Sequence, residues 1–170
     1  TFERDGVVVI PKAIPRQIAQ AWRAAYDALP KREHADWNPV NVPGPFPEPL
    51  ASMPKSESLL RIAKAAFGPD IALYNHRFVV KDALSTGPVF VHQDSGYHLG
   101  FMRKASLFVA LSEVYGANGG MMFYPGTHRY GYLGDAGEIA DELVAEHPAV
   151  RLELDPGDAI LMNSALWHGS

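Results

Sequence analysis

The sequence predicts an α+β domain with an all-β core of the jelly-roll or barrel kind. Three observations carry that expectation. Two helical stretches come first, followed by a series of short apolar runs separated by turns. Val150, Leu152 and Leu154 alternate with Arg151 and Glu153, the period of a half-buried strand. The chain has 170 residues, 47% of them hydrophobic, which suits one domain with one sizeable core.

Taken in order, Gly6-Val7-Val8-Val9-Ile10 reads as a β-run closed by Pro11. Pro15 opens a helix over 15–29, in which Ile18, Ala21, Trp22, Ala25 and Leu29 recur at spacings of three and four, ending before Pro30. Pro39, Pro43, Pro45, Pro47, Pro49 and Pro54 make the following stretch a long irregular loop, and residues 38–54 read as a flap over a site. Leu59, Leu60, Ile62, Ala63, Ala66 and Phe67 form a second helix, stopped by Gly68-Pro69. Strands are expected at Ile71–Tyr74, Phe78–Val80, Pro88–Val91, Leu107–Leu111, Met121–Tyr124, Val150–Leu154 and Ala159–Met162, with a turn at Pro156-Gly157-Asp158. Residues 131–148 read as a second pocket cover, with Ile139, Leu143 and Val144 on one face of a short helix.

Composition removes several function classes. Net charge is −4 with no basic cluster, which argues against a nucleic-acid partner. No run approaches the roughly 18–20 apolar residues of a membrane span, so no membrane partner is expected. There is no cysteine, which excludes zinc–thiolate sites, Fe–S clusters, disulfide frameworks and cysteine nucleophiles. No secretory leader is visible, and the expected compartment is the cytoplasm. Thr1 opens the chain and Ser170 ends it in mid-pattern, so a single domain over 1–170, truncated at its C-terminus, is expected.

The chemistry gathers at two stretches, His92-Gln93-Asp94 and Trp167-His168-Gly169-Ser170. An H-x-D pattern is weak alone: roughly 0.4 matches arise by chance in such a composition, and this chain contains two. His34-Ala35-Asp36 sits beside Lys31, Arg32 and Glu33 with no strand to hold it, and reads as a decoy. His92-Gln93-Asp94 follows a β-run, where residues two apart face one side. His168 also arrives on a strand. Two imidazoles and one carboxylate on one face of an octahedron leave three positions open, which suits non-haem Fe(II) that takes a cosubstrate and then O2. The competing reading of His92-Gln93-Asp94 is a surface turn at a strand end. His128 in Pro125-Gly126-Thr127-His128 reads as holding a loop near the site, His147 as solvated, and His76 and His98 as half-buried or pocket-lining residues.

These residues resemble the phytanoyl-CoA dioxygenase family of Fe(II)- and 2-oxoglutarate-dependent oxygenases. The matching pieces are Phe2-Glu3-Arg4-Asp5-Gly6 with Val7–Ile10, Arg77-Phe78-Val79-Val80-Lys81, His92-Gln93-Asp94, Asn118-Gly119, Pro125-Gly126-Thr127-His128, Gly157–Leu161 and His168-Gly169-Ser170, in the family's order. The resemblance implies a double-stranded β-helix with N-terminal helices packed on one side. It implies His92, Asp94 and His168 as iron ligands, Gln93 and Ser170 as cosubstrate contacts, and Arg77 and Phe108 as residues lining the same pocket. It implies Fe(II), 2-oxoglutarate and O2 as the reacting set, with 2-oxoglutarate converted to succinate and CO2 and a small-molecule substrate hydroxylated. Related halogenases lack the carboxylate at the position of Asp94, so hydroxylation is the expected outcome.

One departure stands out. The family carries an arginine a short way beyond the distal histidine, where a bidentate guanidinium pairs with the far carboxylate of 2-oxoglutarate. This chain stops at Ser170, so that arginine is expected in a missing tail; the alternatives are that Arg77 or another basic residue substitutes, or that 2-oxoglutarate is not used. The alternatives are a cupin-like metal-binding jelly roll without oxygenase activity and a binding-only family member. Trp37, Phe46, Tyr97, Phe101 and Tyr132 are candidates for apolar contacts to the substrate.

Overall fold

The structure is a computed structural model that describes residues 1–30, 41–82, 87–94, 103–133 and 138–170. Phe2–Asp5 makes one helical turn, α1, ended by Gly6 in the left-handed conformation. Val7–Ile10 is β1. Helix α2, Arg16–Asp27, buries Ala19 and Trp22, which lie three apart on one face. Asn41–Pro43 is β2, and helix α3 spans Glu57–Phe67 and ends at Gly68. Then come β3 (Arg77–Val79), β4 (Ala105–Val109), β5 (Met122–Phe123), a short helix α4 (Asp141–Ala145), β6 (Val150–Arg151), β7 (Ala159–Asn163) and β8 (His168–Gly169).

The strands form three antiparallel sheets, ordered β1-β7-β4, β6-β5-β8 and β2-β3. In the first, Leu161 of β7 lies between Val8 and Leu107. β7 is buried on both faces over Ala159–Met162, so it reads as a continuous apolar run rather than an alternation. β4 shows what covers each face. Leu107 and Val109 turn to a helix-side core containing Ile14, Ala19, Trp22, Phe46, Leu50, Met53, Leu59 and Phe78. Phe108 and Ala110 turn to a second core with Phe123, Leu154, Ile160, Met162 and Leu166. Ile160 and Met162 come from one three-stranded sheet and Phe123 from the other, so this second core fills the space between the two sheets. Each large apolar side chain fully buried there contributes about 1.5–3 kcal/mol relative to exposure.

The α+β class is borne out, with helices and antiparallel sheets in one chain. Three local expectations change. Ile71–Tyr74 is not a strand: Leu73 and Tyr74 are well exposed and pair with no strand among the described residues. Val150–Leu154 keeps only Val150–Arg151 in the ladder, with Leu154 making a separate bridge to Val114. The proline-rich stretch is more regular than its composition suggests. β2 pairs with β3, Met53–Lys55 is a 3-10 turn, and Phe46, Leu50 and Met53 dock into the helix-side core. A cavity of about 440 Å³ beside it is lined by Gly44, Pro45, Phe46, Ala51, Asn75 and His76. No helix among the described residues is long and apolar enough to cross a membrane.

Candidate metal centre

His92 and His168 are brought together by strand pairing. The His92 N–H donates to the His168 carbonyl at 2.9 Å, and the His168 N–H returns to the His92 carbonyl at 3.1 Å. Directly opposed residues of an antiparallel pair project to the same face, and the two imidazole centroids stand 4.3 Å apart. Phe123, opposite His168 on β5, lies on this face too, with its ring parallel to the His168 ring. The face is the one turned to the core between the sheets.

One residue further along, the register slips. Val89 and Ser170 exchange both backbone hydrogen bonds, at 2.8 and 3.0 Å. Two residues, Phe90 and Val91, therefore oppose the single Gly169, which is a β-bulge. A Cβ on Gly169 would lie 2.8 Å from the Val89 carbonyl oxygen and 3.3 Å from that of Phe90. Glycine is thus required by close backbone approach. The bulge also supplies a ligand-orienting group: the Phe90 carbonyl accepts from His92 Nδ1 at 2.9 Å. The Leu166 carbonyl does the same for His168 Nδ1 at 2.9 Å. A carbonyl only accepts, so both Nδ1 atoms carry the proton and both Nε2 atoms carry the lone pair.

Asp94 completes the group. Its Oδ1 lies 3.8 Å from His92 Nε2 and 3.6 Å from His168 Nε2. Its Oδ2 accepts from Ser106 Oγ at 2.7 Å, which spends that oxygen and leaves Oδ1 to the centre. Ser106 belongs to β4, so the facing sheet holds the carboxylate while the other sheet holds the imidazoles. The three ligand atoms lie within 4.8 Å of one another. Separations of 3.6–3.8 Å are shorter than two metal–imidazole bonds of about 2.1 Å laid end to end, so the Asp94 oxygen can share one ion with either imidazole.

The electrostatics suit a cation in place of a proton. His168 is 3% exposed. Burial lowers its pKa to about 4 against the pull of Asp94, and the His92 imidazole and the Arg77 guanidinium push in the same direction as burial. The imidazole is therefore neutral near neutrality, the form a metal requires.

The other expected site residues fall in distinct places. Arg77 alternates with Phe78, which packs in the helix-side core, so Arg77 lies on the opposite face of β3, and its charge is felt at His168. Phe108 lies two residues from Ser106, on the face of β4 turned to the inter-sheet core. Ser170 shares the strand face of His168. Gln93 differs from its expected role as a cosubstrate contact. Strand alternation turns it to the back of the sheet, where it is 2% exposed. Its amide nitrogen donates to the Gly131 and Ala165 carbonyls at 2.8 and 2.6 Å, and its oxygen accepts from the Leu133 N–H at 3.1 Å. Gln93 clamps backbone, with both amide hydrogens and one oxygen lone pair used there.

The signature Pro125-Gly126-Thr127-His128 is structural. Thr127 Oγ1 donates to the Tyr124 carbonyl and accepts from the Trp167 N–H. His128 Nε2 donates to the Glu3 carbonyl at 3.1 Å, and a Cβ at Gly6 would collide with its ring. The histidine thus ties α1 to the loop, as its sequence context suggests. Asn118 closes its own turn through Glu113 and Tyr115, and Asp158 fixes the turn before β7 through the Lys12 and Asp155 N–H groups. Trp167 faces away from the triad into a third core with Tyr124 and Ile139. Tyr130 packs on it tilted and His147 edge-on, the two joined by a 3.1 Å hydrogen bond. Ile139, Val144 and His147 are therefore docked on the back of the sheet that carries the two histidines. His34-Ala35-Asp36, Trp37, Tyr97, His98 and Phe101 lie outside the described residues.

Sequence reasoning did not single out Ser106 or the bulge. The serine at the head of the apolar run Leu107–Val109 was a visible signal; the bulge left none, since it depends on the offset between two pairings.

Comparison with known proteins agrees with this architecture. The chain is 25% identical over 186 residues to an ectoine dioxygenase of Streptomyces anulatus, covering 99% of this chain and 62% of that protein. It thus spans less than two thirds of that relative's length. Among solved structures, the non-haem alpha-ketoglutarate-dependent carbocyclase SnoK from nogalamycin biosynthesis superposes with a TM-score of 0.77 at 22% identity, covering 99% of this chain and 74% of that one. The epimerase SnoN in complex with Fe3+, alpha ketoglutarate and nogalamycin RO superposes with a TM-score of 0.68 at 20% identity, covering 99% and 73%. The family model for phytanoyl-CoA dioxygenase (PhyH) matches residues 2–170, and the chain belongs to that family.

Proposed function

We propose that this protein is a non-haem Fe(II)/2-oxoglutarate-dependent dioxygenase that hydroxylates a small molecule, with His92, Asp94 and His168 as the metal ligands. The observation that carries this reading is the convergence of two Nε2 lone pairs and one carboxylate oxygen, each held by a backbone carbonyl or a serine hydroxyl behind it. The donor set fits Fe(II) that must keep positions open. Family membership, relatives that are dioxygenases by name, and a structural neighbour holding Fe3+ and alpha ketoglutarate support it. The two sheets facing across one core fit a double-stranded β-helix over a single oxygenase domain.

Iron with 2-oxoglutarate supplies the activation of O2, with 2-oxoglutarate ending as succinate and CO2 and the substrate gaining a hydroxyl group. The residues of this chain bind, orient and exclude water. Arg77 offers a guanidinium fork to an anionic carboxylate of the cosubstrate. Ser170, on the face of His168, offers a hydroxyl to the same ligand. Phe108 and Phe123 bound the site with apolar surface. The test is an anaerobic titration of the full-length protein with Fe(II) and 2-oxoglutarate. A weak visible charge-transfer band is expected, and it should vanish in His92→Ala. Absence of the band in the parent protein, or an unchanged band in the variant, overturns the assignment.

A further inference from the structure

The sheet that carries the two histidines gains one more strand beyond His92. Glu138 stands opposite His92 in an antiparallel bridge. The Ile139 N–H donates to the Val91 carbonyl at 2.8 Å, while His92 gives its own N–H and carbonyl to His168 on the other edge. Glu138 and His92 are therefore a non-hydrogen-bonded pair, in which opposed side chains project to one face with Cβ atoms about 4.5–5.5 Å apart. A second observation fixes the face independently. Ile139 is buried with Trp167 and Val91 on the side away from the triad, so its neighbour on the strand turns the other way. Glu138 thus stands on the triad face, next in the row after His168 and His92.

This carboxylate is not one of the closely grouped metal donors. It is exposed, and it makes no ion pair among the described residues. It sits on the open flank of the site: the His92 side chain is 13% exposed, against 4% for His168. The charge of Arg77 is felt at His168, the other member of the pair. A carboxylate therefore stands at the open, His92 end of the row.

We propose that Glu138 is a specificity-determining residue that receives a cationic nitrogen of the substrate, a protonated amine, amidinium or guanidinium, while Arg77 serves the anionic cosubstrate. The proposal rests on the oxygenase reading above. A charge-assisted hydrogen bond to Glu138 would fix the substrate against the His92 side of the metal, and an anionic substrate would meet repulsion there.

The test uses full-length protein and matched probes: benzamidine with benzamide and benzoate, and cyclohexylamine with cyclohexanol. Binding is read by calorimetry on the metal-free protein, and by perturbation of the anaerobic charge-transfer band after loading with Fe(II) and 2-oxoglutarate. Each cation is expected to bind on the order of tenfold more tightly than its neutral partner. E138Q should abolish that preference while forming the same band, and E138K should favour benzoate. Neutral partners binding as well as the cations, no probe binding, or a preference that survives in E138Q each overturn the proposal. A missing band with the calorimetric preference intact overturns the oxygenase reading alone.

Discussion

Ser106 and the two carbonyls of Phe90 and Leu166 decide what His92, Asp94 and His168, the proposed ligands, can do. Each fixes the far side of a ligand so that its near atom points inward. Ser106→Ala frees Asp94 to rotate without removing a donor. Iron affinity should fall by about 10–100-fold, while saturating iron still restores the charge-transfer band; calorimetric titration of Fe(II) under anaerobic conditions checks both halves. His168 carries a pH signature. Its pKa is about 4 in the folded protein, against 6.5 for an unperturbed histidine. Between these values the unfolded chain binds the proton and the folded chain does not. Stability of the metal-free protein is therefore complete above pH 6.5 and falls as pH drops toward 4, by up to about 3 kcal/mol from this group. Urea unfolding midpoints across that range should show the slope, and H168Q should flatten it.

At the scale of elements, two joints hold the sheet that carries the two histidines. The first is the bulge at Phe90-Val91 opposite Gly169. Gly169→Ala places a methyl 2.8 Å from the Val89 carbonyl oxygen, so backbone must move. A loss of about 1–3 kcal/mol is expected from the overpacking, together with weaker metal binding because the Phe90 carbonyl moves with the strand. Denaturation and metal titration on the same variant measure the two effects. The second joint is Gln93, whose buried amide holds Gly131, Leu133 and Ala165. Gln93→Ala takes the partner from the buried Ala165 carbonyl and from the part-buried Gly131 and Leu133 groups, at a cost of about 1–3 kcal/mol. Faster hydrogen exchange at the Leu133 amide is the local sign to look for.

At the scale of the molecule, the triad joins two sheets: His92 and His168 lie on paired strands, and Asp94 is bound to Ser106 of the facing sheet. A metal held there should stabilise the whole domain rather than one loop, by about 2.7 kcal/mol at a concentration one hundred times its dissociation constant. Adding Fe(II) anaerobically should raise the melting temperature, a chelator should reverse it, and His92→Ala should remove the response.

What the sequence determined by itself follows the physics of single strands and helices. Periodicity located α2, α3, β1, β4 and β7, because burial of one or both faces leaves a repeat in the chain. Strand context also distinguished His92-Gln93-Asp94 from its decoy as the candidate. Tertiary structure decided everything that depends on register. Gln93 was read as a cosubstrate contact from its place in a motif, but strand alternation turns it to the back of the sheet. Ser106, Gly169 and Glu138 take their roles from residues 12, 80 and 46 positions away in the chain (Asp94, Val89 and His92). Those partnerships are set by which strands lie side by side and by one extra residue in a bulge, and no local pattern of apolar and polar residues encodes either.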